Sequence, residues 1–66
     1  MSVAKVIEIS TDSPTSFEDA IKSGIVKASQ SVRNIKSAWV KEQEVRVDGD
    51  SITEYRVVLK ITFVLE

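Results

Sequence analysis

Residues 55–65 read Tyr55-Arg56-Val57-Val58-Leu59-Lys60-Ile61-Thr62-Phe63-Val64-Leu65. Tyr55, Val57, Leu59, Ile61, Phe63 and Leu65 occupy every second position, which in an extended chain points them to one face. That alternation predicts a long strand over residues 52–66 whose apolar face lies under a covering element. The intervening set, Arg56, Val58, Lys60, Thr62 and Val64, is neither a clean solvent face nor a clean core.

Immediately upstream, Asp48-Gly49-Asp50-Ser51 is tight-turn chemistry, with Gly49 able to take a positive φ. It bears a faint likeness to a calcium loop but lacks the following acidic ligand at the required spacing, and turn formation accounts for it. Residues 36–47 then form a second long strand, antiparallel to the last. Between 16 and 32 the apolar residues Phe17, Ala20, Ile21, Gly24, Ile25, Ala28 and Val32 recur at steps of three and four, the stripe of an amphipathic helix. Ser16 suits its N-cap, with its hydroxyl placed to accept the Asp19 N–H, and Glu18 and Asp19 favour the positive end. Lys27 and Arg33 lie toward the other end, Asn34 is a stop signal, and Glu18 and Lys22 form a solvated i, i+4 pair. Residues 3–9 read as a first strand and residues 10–15 as a turn. The order is β-α-β-β, an α+β fold in one domain over 1–66.

A three-stranded sheet with one helix has cover on one face only. Val58, Val64, Trp39, Val45 and Val47 are expected on the other. Such a patch marks an interface or a groove. Burying ~500 Å2 of it per chain at about 25 cal/mol per Å2 is worth on the order of 12 kcal/mol before association costs. An isolated core of this length rarely supplies more than about 3–5 kcal/mol. Self-association is therefore expected, and Val26, roughly opposite the helix stripe, is a further candidate for contact with a second copy.

Composition narrows the function. The 66 residues contain no cysteine and no histidine, so disulfides, Cys/His zinc sites, the commonest general base and the thiol nucleophile are all excluded. The only glycines, Gly24 and Gly49, make no phosphate-cradling loop. An enzyme is not expected. A net charge of -1 supplies no attraction for nucleic acid or an anionic membrane. No apolar run spans a bilayer, and residues 1–5 lack a secretory apolar region. A cytoplasmic protein is the expectation.

Several stretches, in this order and spacing, resemble the dodecin family along nearly the whole chain. They are Lys5-Val6-Ile7-Glu8, Ser13-Pro14-Thr15-Ser16-Phe17-Glu18-Asp19-Ala20-Ile21, Arg33-Asn34-Ile35, Val40-Lys41-Glu42-Gln43, Thr53-Glu54-Tyr55-Arg56 and Leu59-Lys60-Ile61-Thr62-Phe63-Val64-Leu65-Glu66. The resemblance implies a β-α-β-β chain, with a long curved sheet wrapped around one helix, assembled as a hollow homododecamer. It also implies storage of a flavin (riboflavin, FMN or FAD) between subunits, and in some bacterial members binding of coenzyme A.

In flavin-binding members of that family a tryptophan at the start of the middle strand stacks on the isoalloxazine. Counted from Asn34, that position is Ser37, and Trp39 stands two residues on. Positions 37 and 39 of a regular strand share a face, about 6–7 Å apart. The family's glutamine at the pyrimidine edge corresponds to Arg56, which can donate to flavin carbonyls or hold a phosphate but cannot accept from the ring N–H. Candidate ligand contacts are therefore Ser37, Trp39, Gln43 and Arg56. Three of them also have a plain structural role: Trp39 as interface filler, Gln43 as an exposed strand residue, Arg56 as an ion-pair partner of Glu42 or Glu44 across an interface. Two functions remain open. One is flavin sequestration at subunit interfaces. The other is a shell of the same build without flavin, acting in ion or coenzyme A binding or as structure, with Glu42, Gln43 and Glu44 lining a cavity that holds cations weakly.

Overall fold

The computed structural model describes residues 3–65. β1 spans Val3–Ser13, α1 Phe17–Ser29, β2 Ile35–Asp48 and β3 Ser51–Leu65. The sheet order is β1-β3-β2, antiparallel throughout. The β-α-β-β order and three-stranded antiparallel sheet are those expected from the sequence. Glu66, expected at the end of the last strand, lies outside the described residues.

The alternation read in β3 governs the core. Val57, Leu59 and Ile61 are buried with Ala20 and Ala28 of α1. Phe17, Ile21, Ile25, Ile7, Ile9 and Ile35 close around them. Gly24 sits where helix and sheet come closest: a Cβ there would lie 2.9 Å from Thr11 Cγ2 and 3.2 Å from Leu59 Cδ1. Tyr55 meets Phe17 edge-to-face, with ring centroids 5.1 Å apart. Leu65, expected beneath the helix, is half exposed because it lies past the helix at the end of the sheet.

The helix begins as expected. Ser16 is extended and its Oγ accepts the Asp19 N–H at 3.0 Å. Ser13 is buried and donates to Asp19 Oδ2 at 2.7 Å while accepting the Thr15 N–H at 2.9 Å. The helix closes at Ser29, three residues before the expected end, with Ser31 and Val32 folding back to the Ala28 carbonyl. Asn34 takes φ 62° and turns the chain into β2.

Two sequence expectations fail in the strands. β1 does not stop at residue 9, because Ser10, Thr11, Asp12 and Ser13 pair with Val58, Val57, Arg56 and Tyr55; the long β3 template outweighs their turn preference. The β2–β3 register shifts at Ile35/Ser37, Val40/Glu42 and Arg46/Val47. At the first two the extra residue, Lys36 or Lys41, is in β2 and reverses the side to which later β2 residues point, whereas at the third it is Thr53 of β3. Val45, expected on the outer face, lies opposite Tyr55 on the helix side, and Val47 lies opposite Ile52 at the exposed hairpin end.

The molecule is a ribbon of 51 × 19 × 13 Å. β3, with 15 residues, runs about 50 Å at about 3.3 Å per residue. α1, with 13 residues, covers only about 20 Å, and it packs on β1 and β3. The radius of gyration is 13.6 Å, against about 11 Å for a compact chain of this length. The hairpin tip projects past the helix, leaving Val47 and Ile52 exposed.

Candidate functional site

The outer face of the sheet is built by the pairing register. From β3 it carries Arg56, Val58, Lys60, Thr62 and Val64. Opposite them stand Asp12, Ser10, Glu8, Val6 and Ala4 of β1, and Glu44, Glu42, Trp39 and Ser37 of β2. Ser37 and Trp39 share this face, as a two-residue step requires, opposite Thr62 and Lys60. Trp39 is 48% exposed, with Lys60 Nζ 5.9 Å from its ring centroid.

Arg56 stands on the same face, yet it is not beside Trp39. It is four residues from Lys60 along β3, about 13 Å in an extended strand. Its guanidinium is also engaged. Nε donates to Asp12 Oδ1 at 2.6 Å and Nη2 to Asp12 Oδ2 at 3.2 Å, while Nη1 lies 3.6 Å from Glu44 Oε1. The hydrogen bond from Arg56 holds the Asp12 carboxyl below the usual carboxylate range, and Asp12 raises the guanidinium in return. The ion pair expected across an interface with Glu42 or Glu44 is replaced by one within the chain, to Asp12 and Glu44. Glu42, Gln43, Glu44, Arg56 and Val58 border a cavity of about 90 Å3.

Gln43 is an exposed strand residue, as its plain structural reading has it, but it does not share the face of Trp39. The bulge at Val40/Glu42 sets it opposite Val57, on the helix side, while Glu42 and Glu44 stay on the outer face opposite Val58 and Arg56. Without that irregularity, residues 39 and 43 would share a side. The bulge residue Lys41 instead reaches over β3 to Glu8, Nζ to Oε1 at 3.3 Å.

Sequence reasoning missed Asp12 and Lys60. Asp12 lies in a stretch with turn chemistry, and only the β1–β3 register reveals it as the partner of Arg56. Lys60 was visible in the alternation, but its place beside Trp39 depends on the pairing of two strands joined by a hairpin whose bulges are silent in the sequence. Among the described residues no three or more acidic side chains gather into a metal-holding group, and no helix is long and apolar enough to cross a membrane.

Known proteins agree with this architecture. The family model described as Dodecin matches residues 3–66. The calcium dodecin of Mycobacterium tuberculosis is 43% identical over 63 residues, which cover 96% of this chain and 89% of that protein. A dodecin mutant of T. thermophilus superposes with a TM-score of 0.94 at 30% identity, covering 100% of this chain and 98% of that one. A structure of calcium dodecin from Mycobacterium tuberculosis, described as a calcium-chelating antigen, superposes at 0.83 with 41% identity over 98% of this chain and 93% of that one. On its sequence match along almost every residue and its shared fold, the chain belongs to the dodecin family.

Proposed function

We propose that this chain is the subunit of a cytoplasmic hollow homododecamer that sequesters a flavin on the outer sheet face, between copies, with Trp39 as the stacking platform. The observation that carries this reading is Trp39 itself: a half-exposed indole on a sheet face with no cover of its own. A half-exposed indole there gains by stacking on a flat ring or by burial against a second copy. Ser37 lies on the same face two residues away and leaves room for a ring. Arg56 belongs to the scaffold in this reading, because Asp12 and Glu44 already hold its donors. Gln43, on the opposite side of the sheet, is not a contact of this platform. Absence of histidine and cysteine favours binding over catalysis.

The elongated shape supports assembly. The chain exposes 4772 Å2, where a compact monomer of this mass exposes about 4,200 Å2. Val6, Val58, Val64 and Trp39 share the uncovered face.

A second reading is sequestration of a divalent cation. It is favoured by the 43% identity to a protein named calcium dodecin. Glu42 makes no ion pair among the described residues, and Glu44 beside it is only partly neutralised by Arg56 at 3.6 Å. Carboxylates from several copies would have to converge, because no three gather among the described residues of one chain. One experiment separates the two readings. Titration of the assembled protein with FMN, followed by flavin fluorescence, and with Ca2+, followed by calorimetry, should give saturable quenching that Trp39→Ala abolishes. Unquenched flavin together with stoichiometric calcium heat would overturn the first reading in favour of the second.

A further inference from the structure

We infer that Lys60 sets the charge preference of the Trp39 platform, so that the site takes aromatic ligands bearing an anionic group over neutral ones. The inference rests on the aromatic-ligand reading above and adds the residue that selects among such ligands.

Three observations converge on Lys60. Its ammonium lies 5.9 Å from the Trp39 ring centroid, within the range of a cation–π contact. It stands directly opposite both Trp39 on β2 and Glu8 on β1, so Glu8 is the nearest available counter-ion. Glu8, however, is taken by Lys41, which crosses β3 to reach it at 3.3 Å. Lys60 consequently makes no ion pair among the described residues, although it is partly buried on a sheet face. The bulge at Val40/Glu42 creates this situation, since it adds Lys41 to the outer face.

A partly buried cation with only a π-face for company has an unmet demand for an anion. A neutral ring stacking on Trp39 displaces the ammonium and loses the cation–π attraction. A ring carrying a phosphate or carboxylate can stack while its anion takes up the ammonium. The second arrangement gains a charge-assisted contact where the first loses an interaction. With an exposed-type ion pair and a surface cation–π contact, the anionic ligand should bind about five- to tenfold tighter.

Riboflavin and FMN are the probes, since they share one ring system and differ by a phosphate. In the assembled wild-type protein FMN should bind about five- to tenfold tighter than riboflavin at low salt, and the ratio should shrink as salt screens the pair. Lys60→Met should bring the ratio to about one, and Lys60→Arg should retain it, with light scattering confirming that each variant assembles. Equal affinity for both flavins in the wild type, or an unchanged ratio in Lys60→Met, overturns the role of Lys60 and leaves the flavin reading standing. Failure of both flavins to bind overturns the flavin reading and this inference with it.

Discussion

Replacing Gly24 by alanine sets two opposing effects against each other. Gly24 lies within α1, where alanine is worth about 1 kcal/mol over glycine by helix propensity. On propensity alone the variant would be more stable. The packing opposes it. The new methyl would stand 2.9 Å from Thr11 Cγ2 and 3.2 Å from Leu59 Cδ1, inside the ~3.5–4.0 Å at which carbon contacts are favourable. Thr11 is β-branched and stiff at χ1, and Leu59, 1% exposed, is walled in by the core. The helix must lift from the sheet, and overpacking of this kind costs typically about 1–3 kcal/mol. The net expectation is destabilisation by about 1 kcal/mol. Urea unfolding followed by circular dichroism, at one fixed protomer concentration because assembly contributes to stability, should show a lower midpoint at unchanged slope. Thr11→Ser removes the first clashing methyl, so Gly24→Ala in that background should be neutral or stabilising, with a coupling of about 1 kcal/mol between the sites. A raised midpoint for Gly24→Ala alone would refute the close-approach argument.

Three further outcomes follow from the same structure. Val58→Glu puts a charge on the uncovered sheet face opposite Ser10 and Glu42 and should disperse the assembly to smaller species in light scattering; an unchanged mass would show that this face is not the contact between copies. Ser16→Ala removes the acceptor of the Asp19 N–H and should cost about 1 kcal/mol, read as a fall in unfolding midpoint. Asp12 titrates below its ordinary 3.8 because of Arg56, so the contribution of this pair is intact above that ordinary value and is lost as pH falls through the lowered one. Arg56→Gln should therefore flatten the acid end of the stability profile and return the Asp12 carboxyl, followed by carbon-13 NMR, toward 3.8.

Periodicity made the core legible in advance. The β3 alternation and the helix stripe identified Val57, Leu59, Ile61, Ala20 and Ala28 because each follows from a fixed repeat and one buried side. Ser16 was legible as a cap for an equally local reason. What escaped depended on register. Ser10 to Ser13 carry turn-forming side chains, and only the partner strand keeps them extended. Val45 falls on the helix side, not the expected outer face, because a bulge leaves no mark in residue chemistry yet inverts the strand that follows it. Trp39 and Arg56, read together as one site, are separate features of one face because Lys60, opposite Trp39, and Arg56 differ by four positions along β3: the former site lies beside Lys60, the latter is locked to Asp12.

The irregularities of β2 also bear on how this chain avoids unwanted polymers. β2 is an edge strand of 14 residues, and a straight edge of that length would offer its free amides to any extended segment it met. Interrupted at Ile35/Ser37, Val40/Glu42 and Arg46/Val47, it holds regular pairing of more than two residues only over Ser37–Val40 and Glu42–Arg46. Neither stretch is long enough to seed fibril growth by stacking. An edge broken in this way resists strand-by-strand addition, so contact between copies is directed to the uncovered sheet face and away from endless growth.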